Sequence, residues 1–212
     1  MEANYILEEL SKLFPDPKCE LEFRSPYELM VAVCLSAQCT DKRVNMVTKE
    51  FFKHYPDMLS LSHAKIEDVE RLIKSCGLYH NKAKNLINAS KQIMDEFNGQ
   101  IPNDFEKLQS VAGIGRKTAN VIRSVAFGED AIAVDTHVFR VSNRLGISKS
   151  SNVLDCELEL QKKFEPKDWT KLHYMLVLFG RYICSARSPK CVECPFCNNC
   201  LERKTEGTNV SW

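Results

Sequence analysis

Two groups of residues in this chain are of types that do chemistry, and their spacing narrows which chemistry. Cys184, Cys191, Cys194, Cys197 and Cys200 crowd into one short stretch. So many thiols in so short a loop are not core filler, and thiolates at such spacings bind zinc or an iron–sulfur cluster. Two tetrads can be drawn. One is C-x6-C-x2-C-x5-C, using Cys184, Cys191, Cys194 and Cys200; the other is C-x2-C-x2-C-x2-C, using Cys191, Cys194, Cys197 and Cys200. The second has ferredoxin-like spacing. A set of disulfides would need an oxidising compartment, of which the chain gives no sign.

The second group is Gly113-Ile114-Gly115-Arg116-Lys117. It joins two short predicted helices, one opened by Asp104 and ending near Ser110, the other running from Gly115 to Phe127. Glycine permits positive φ and lets another backbone approach without a Cβ in the way. The second helix then starts with unsatisfied N–H groups and the positive end of its dipole, where a phosphate can sit. Ile114 would plug the gap between the helices. A lone G-x-G is most often a mere turn; here Arg116 and Lys117 follow at once, which favours phosphate contact.

The elements that must position these residues read as helices throughout. Ile6, Leu7, Leu10, Leu13 and Phe14 form an apolar stripe stopped by Pro15 and Pro17. Ser25-Pro26-Tyr27-Glu28 is a capping-box pattern with proline at the first helical position. Asp41 is placed to cap a helix carrying Val44, Val47, Phe51 and Phe52. Ser62 is placed to open the next, with Gly77 as its stop. Ala83 to Phe97, closed by Gly99, marks another. Further helices are expected over Thr136–Leu145, Val153–Phe164 and Trp169–Tyr182. No stretch shows sustained period-two alternation with hairpin turns, so the chain reads as all-α, with candidate boundaries at Pro15–Pro17 and Gly128–Ala133.

The 212 residues suffice for one large domain or two small ones. The composition, 44% hydrophobic and 27% charged, is that of an ordinary globular protein. No apolar run is long enough to span a bilayer. The start reads as neither a signal nor a transit peptide. A cytoplasmic, reducing site is therefore expected, with Cys19, Cys34, Cys39, Cys76 and Cys156 as reduced thiols. Net charge is +1, so a nucleic-acid partner has to be met by local basic patches. No heptad or exposed apolar stripe stands out, and a monomer is expected.

At Gly113-Ile114-Gly115-Arg116-Lys117-Thr118-Ala119-Asn120-Val121 the chain resembles the endonuclease III family of helix-hairpin-helix DNA glycosylases. Ala133-Val134-Asp135-Thr136-His137-Val138-Phe139-Arg140-Val141 continues the match. So do Leu35-Ser36-Ala37-Gln38, Gly77-Leu78-Tyr79 and the tail C-x6-C-x2-C-x5-C. The resemblance implies two helical lobes with a DNA-binding cleft between them. Residues 19–129 would form a six-helix barrel domain with the helix-hairpin-helix, and residues 1–18 plus 130–212 an iron–sulfur domain. It also implies a [4Fe–4S] cluster on Cys184, Cys191, Cys194 and Cys200, leaving Cys197 outside the set. Two positions depart from the family pattern. Ala112 stands where proline is usual, which should loosen the hairpin slightly, and Cys39 stands where a small apolar residue is common.

The activity implied is removal of oxidised pyrimidines from duplex DNA together with strand cleavage at the abasic site. The partner is double-stranded DNA with damaged bases or abasic sites; no membrane is involved. Lys117 would be the nucleophile at C1′, forming a Schiff base. Arg116 and the helix dipole favour the neutral amine that attack requires. Asp135 would take a proton from the amine and stabilise the oxocarbenium-like sugar, while also reading as a helix N-cap. The target base must leave the stack; Gln38 would fill its place and Leu78 would wedge into the duplex. His137 reads equally as a DNA contact or a buried, satisfied histidine. Arg187 and Lys190, in a loop held between Cys184 and Cys191, would contact phosphates, as would Gly113, Gly115 and Arg116. The competing readings are a same-fold glycosylase for mismatched thymine or pyrimidine dimers, and a non-enzymatic iron–sulfur or zinc protein that binds DNA or carries electrons. The latter leaves the hairpin, Lys117 and Asp135 unexplained.

Overall fold

The structure is a computed structural model that describes residues 1–202. Its helices are, in chain order, α1 (Ala3–Leu13), α2 (Pro26–Ser36), α3 (Asp41–His54), α4 (Met58–Ser62), α5 (Ile66–Ile73), α6 (Tyr79–Phe97), α7 (Phe105–Ser110), α8 (Arg116–Phe127), α9 (Thr136–Arg144), α10 (Val153–Lys163) and α11 (Trp169–Tyr182). Short 3-10 turns cover Pro166–Asp168, Cys191–Glu193 and Cys197–Asn199. No strand occurs among the described residues, as the missing period-two pattern led us to expect. No helix is long and apolar enough to cross a membrane.

The chain divides into two compact units, Cys19–Glu129 and Met1–Lys18 with Asp130–Trp212. In the first, α2 packs against α3, α6 and α8, α4 and α5 pack against α6, and α7 packs against α8. Helix α2 is apolar nearly all round: Leu29, Met30, Val31, Ala32 and Leu35 are fully buried. A helix of that kind belongs at the centre of its unit, and its last turn leads to the exposed residue Gln38. In the second unit α11 packs against α1 and α9. Ile6, Leu10, Val138, Val141, Leu172, Met175, Leu176, Phe179 and Phe196 share its core.

Several helix starts differ in detail from the sequence reading. Thr40, not Asp41, caps α3, its side chain accepting from Arg43 N. Ser62 ends α4 instead of opening a helix, and α5 begins at Ile66 without a side-chain cap. Helix α4 was not anticipated; Asp57 and Ser60 close a capping box at its start. Ser25 does cap α2, but the Glu28 carboxylate accepts from Arg24 N at 2.7 Å instead of returning to Ser25. Leu13, assigned to the apolar stripe of α1, is 37% exposed.

Candidate active site and DNA-contacting loops

Lys117 lies in the first turn of α8, half-buried, directly after the hairpin that joins α7 to α8. Gly113 takes φ +78°, and a Cβ there would stand 2.8 Å from Asn85 Cβ. Both facts require glycine. Gly115 differs: its φ is −87° and an added Cβ would meet nothing within 4 Å. Neither backbone strain nor a close neighbour within the protein calls for that glycine. No side chain caps α8, which leaves the helix start open for an anion. Ile114 is buried as expected. Ala112, in place of the usual proline, has an N–H to satisfy; Gln92 Oε1 accepts it at 3.1 Å, while Gln92 Nε2 donates to Ser110 O at 3.0 Å. Helix α6 thus braces a turn that proline would have stiffened. The Arg116 guanidinium lies over the Phe105 ring, 4.9 Å from its centroid, a stacking that holds it on the hairpin side of α8.

Gln38 and Leu78 occupy adjoining turns of the same unit. Both are exposed, and both are non-glycine residues at positive φ, +54° and +58°. A Cβ on Gly77 would come within 3.2 Å of Gln38 O, so the two turns touch. Cys76 and Cys39 flank them; burial first, then the nearby Cys39 thiol, pushes the Cys76 thiol up to about 11. Lys82, one turn into α6, is buried, and its ammonium donates to Leu35 O at 2.9 Å and Ala37 O at 2.7 Å. Cys34, on the last turn of α2, has its thiol held up to about 12 by desolvation, with Lys117 and then Lys82 pulling in the opposite direction. Lys117, Cys34 and Lys82 therefore share one neighbourhood. Nothing in the sequence singled out Lys82; its partners are carbonyls, which leave no residue signature.

In the other unit, Asp135 caps α9. One carboxylate oxygen, Oδ1, accepts from His137 N and Val138 N, both at 2.8 Å. The cap fixes the side chain and leaves the second oxygen to other work. His137 is half-buried and lies 3.3 Å from the Arg140 guanidinium, so it is neither a sealed core histidine nor a fully exposed one. Arg140 and Arg144, one turn apart on α9, grip the start of the cysteine loop. Arg140 donates to Gly180 O at 2.8 Å and Cys184 O at 3.0 Å; Arg144 donates to Ser185 O at 2.8 Å and Ala186 O at 3.2 Å. Neither arginine was anticipated, although their i, i+4 spacing put them on one face. Arg187 and Lys190 are exposed in that loop, closed by Lys190 N donating to Ile183 O at 2.8 Å.

The thiols of the tail fit a thiophilic metal group in chemistry. Cys184 is buried, and Cys191, Cys194, Cys197 and Cys200 are half-buried. Burial, opposed by a Phe196 backbone hydrogen bond and then reinforced by the thiols of Cys184, Cys197 and Cys200, sets the Cys194 thiol at about 11. These sulfurs are neighbours in a partly desolvated loop, with Arg144 Nη1 3.7 Å from Cys184 Sγ. They do not form a closed cage: among the described residues no three His, Cys, Asp or Glu side chains already stand as a set of metal ligands.

A helical hairpin with an open helix start, exposed strained turns beside it, and a thiol-rich loop define a class. The HhH-GPD superfamily of base excision DNA repair proteins matches residues 31–166, and the chain belongs to it. Within that superfamily it belongs with the Endonuclease III proteins. It is 48% identical to Endonuclease III of Bacillus subtilis over 202 residues, 95% of this chain and 92% of the relative. It is likewise similar to an Endonuclease III in a non-covalent DNA complex, with TM-score 0.92, 46% identity and coverage of 96% and 95%. A trapped covalent Endonuclease III–DNA intermediate matches equally, with TM-score 0.92, 46% identity and 96% of each chain.

Proposed function

We propose that this chain is a base-excision DNA glycosylase with AP lyase activity, acting on damaged pyrimidines, and that Lys117 is its nucleophile. The observation that carries the assignment of Lys117 is its position: first turn of an uncapped helix, immediately after a hairpin whose Gly113 holds positive φ. The trapped covalent complex of a similar protein supports the same chemistry.

The hairpin N–H groups and the dipole of α8 hold a DNA phosphate, placing Lys117 at the sugar of the damaged nucleotide. The neutral amine attacks C1′ as the base departs with the electrons of the glycosidic bond. Asp135 accepts the proton the nitrogen sheds and stabilises positive charge on the sugar. The C1′–O4′ bond then opens, O4′ taking the proton back from Asp135, and leaves a protonated imine at C1′. That imine acidifies C2′; loss of a C2′ proton expels the 3′ phosphate, and water then hydrolyses the imine to release the enzyme. Gln38 and Leu78 occupy the space vacated in the duplex, and His137, Arg187 and Lys190 contact DNA outside the reacting sugar.

Cys184, Cys191, Cys194 and Cys200 would hold the [4Fe–4S] cluster, which supplies metal–thiolate bonds that clamp an irregular tail. Broad visible absorption with stoichiometric iron and sulfide is expected of the purified protein; a colourless zinc protein would exclude this cofactor.

Borohydride reduction during turnover tests the nucleophile. Wild-type protein is expected to give a stable covalent adduct with a thymine-glycol duplex, mapped to Lys117. Lys117→Gln is expected to give none and to lose strand cleavage by several orders of magnitude. Cleavage by Lys117→Gln at the wild-type rate would remove Lys117 from the mechanism.

A further inference from the structure

The lysine that no step above uses is Lys82. It is 7% exposed, and its acceptors are two main-chain carbonyls, Leu35 O at 2.9 Å and Ala37 O at 2.7 Å. Burying an ammonium without a carboxylate is expensive. A helix end can be capped by glycine or asparagine, or by a solvated lysine, at far lower cost. What distinguishes this site is what the ammonium joins. Ala37 precedes Gln38, and Lys82 stands in the first turn after Leu78. Gln38 and Leu78, at φ +54° and +58°, are left-handed non-glycine residues. That conformation is costly for a residue with a Cβ and persists only where the surroundings over-determine it.

We propose that Lys82 is a positioning residue that ties the Gln38 turn to the Leu78 turn, so that the two enter the DNA as one rigid wedge and the damaged base is driven out. This rests on the glycosylase reading above. One further contact joins the same turns, the close approach of Gly77 to Gln38 O. Lys82 is the stronger of the two ties, because an ammonium gives both carbonyls charge-assisted bonds. It also anchors the last turn of α2 through Leu35 O.

A wedge is needed to extrude a stacked base and far less to reach a sugar that has already lost its base. Lys82→Met should therefore separate two activities that a plain helix cap would lower together. In single turnover with enzyme in excess, Lys82→Met is expected to slow base removal from a thymine-glycol duplex roughly 100-fold, the loss that a misplacement of about 1 Å can cause. Cleavage and borohydride trapping on an abasic-site duplex should change by less than about threefold. The rise in fluorescence of 2-aminopurine placed beside the lesion should be lost, and Lys82→Arg, which keeps the cation, should restore most of it. Gly77→Ala pushes the same turns apart from the other side without touching Lys82, and should give the same selective defect if Lys82→Met does not fold. Equal slowing on both duplexes in step with lost melting temperature, or no slowing on either, would reduce Lys82 to a helix cap. Wild-type protein inactive on both duplexes would instead overturn the glycosylase reading itself.

Discussion

Asp135 caps α9, and a substitution series can separate that cap from the catalytic role proposed for it. Its Oδ1 takes both N–H groups at the start of α9, and asparagine caps a helix about as well as aspartate. Asp135→Asn should therefore keep the melting temperature within about 2 °C, a shift of a few tenths of a kcal/mol, while removing the carboxylate charge. Turnover on a thymine-glycol duplex should fall by roughly 100-fold or more, in the range for loss of a general base, with DNA affinity little changed. Asp135→Ala should add a stability loss of about 1 kcal/mol on top of the same kinetic defect. Thermal melting beside single-turnover kinetics reads both; equal losses of affinity and rate in Asp135→Asn would assign the residue to structure alone. Asp135 as capping residue was legible in the sequence, since it directly precedes an apolar-periodic run. Lys82 was not, because its acceptors lie 47 and 45 residues away on the main chain.

At the scale of the element, the hairpin makes opposite demands on its two glycines. Gly113→Ala meets both a left-handed φ of +78° and the Asn85 Cβ at 2.8 Å; a loss of roughly 1–3 kcal/mol is expected, measurable by urea unfolding. Gly115→Ala meets neither. Its stability should stay within about 0.5 kcal/mol of wild type, yet on the proposed phosphate site affinity for an abasic-site duplex should fall, because the methyl group would stand between the backbone and the phosphate. Unchanged affinity in Gly115→Ala would mean the phosphate does not approach there. The G-x-G spacing alone could not distinguish these roles, since only the folded backbone gives each glycine its φ. Most helices were readable from caps and period: Ser25, Asp104 and Asp135 each open one. Helix α4, five residues long, was too short to carry a period, and Ser62 was misassigned because a serine near a helix end looks the same from either side. The expected looseness at Ala112 is offset by Gln92, a tertiary contact from α6 that local sequence does not reveal.

For the whole molecule, a net charge of +1 means that affinity for DNA must come from a few placed cations instead of a general field. Some of its lysines lie against neighbouring carboxylates: Lys12 on Glu8 and Glu9, Lys53 on Glu50, Lys18 on Asp16. Arg187 and Lys190 differ by where they are held. Their loop is gripped by Arg140 and Arg144 at one end and closed by a main-chain bond at the other, so docking a phosphate there would cost little backbone entropy. Lys190 is only loosely opposed by Glu193, at 3.9 Å between exposed groups, and such a pair is weak. Each phosphate contact releases counterions and adds about 0.9 to the slope of log affinity against log salt. Lys190→Ala and Arg187→Ala should each lower that slope by about one, on any duplex sequence, while Lys12→Ala leaves it unchanged. Fluorescence anisotropy titrations on an undamaged duplex at several salt concentrations supply the slopes. A slope that falls equally for Lys12→Ala would mean that overall charge, not the clamped loop, governs the encounter.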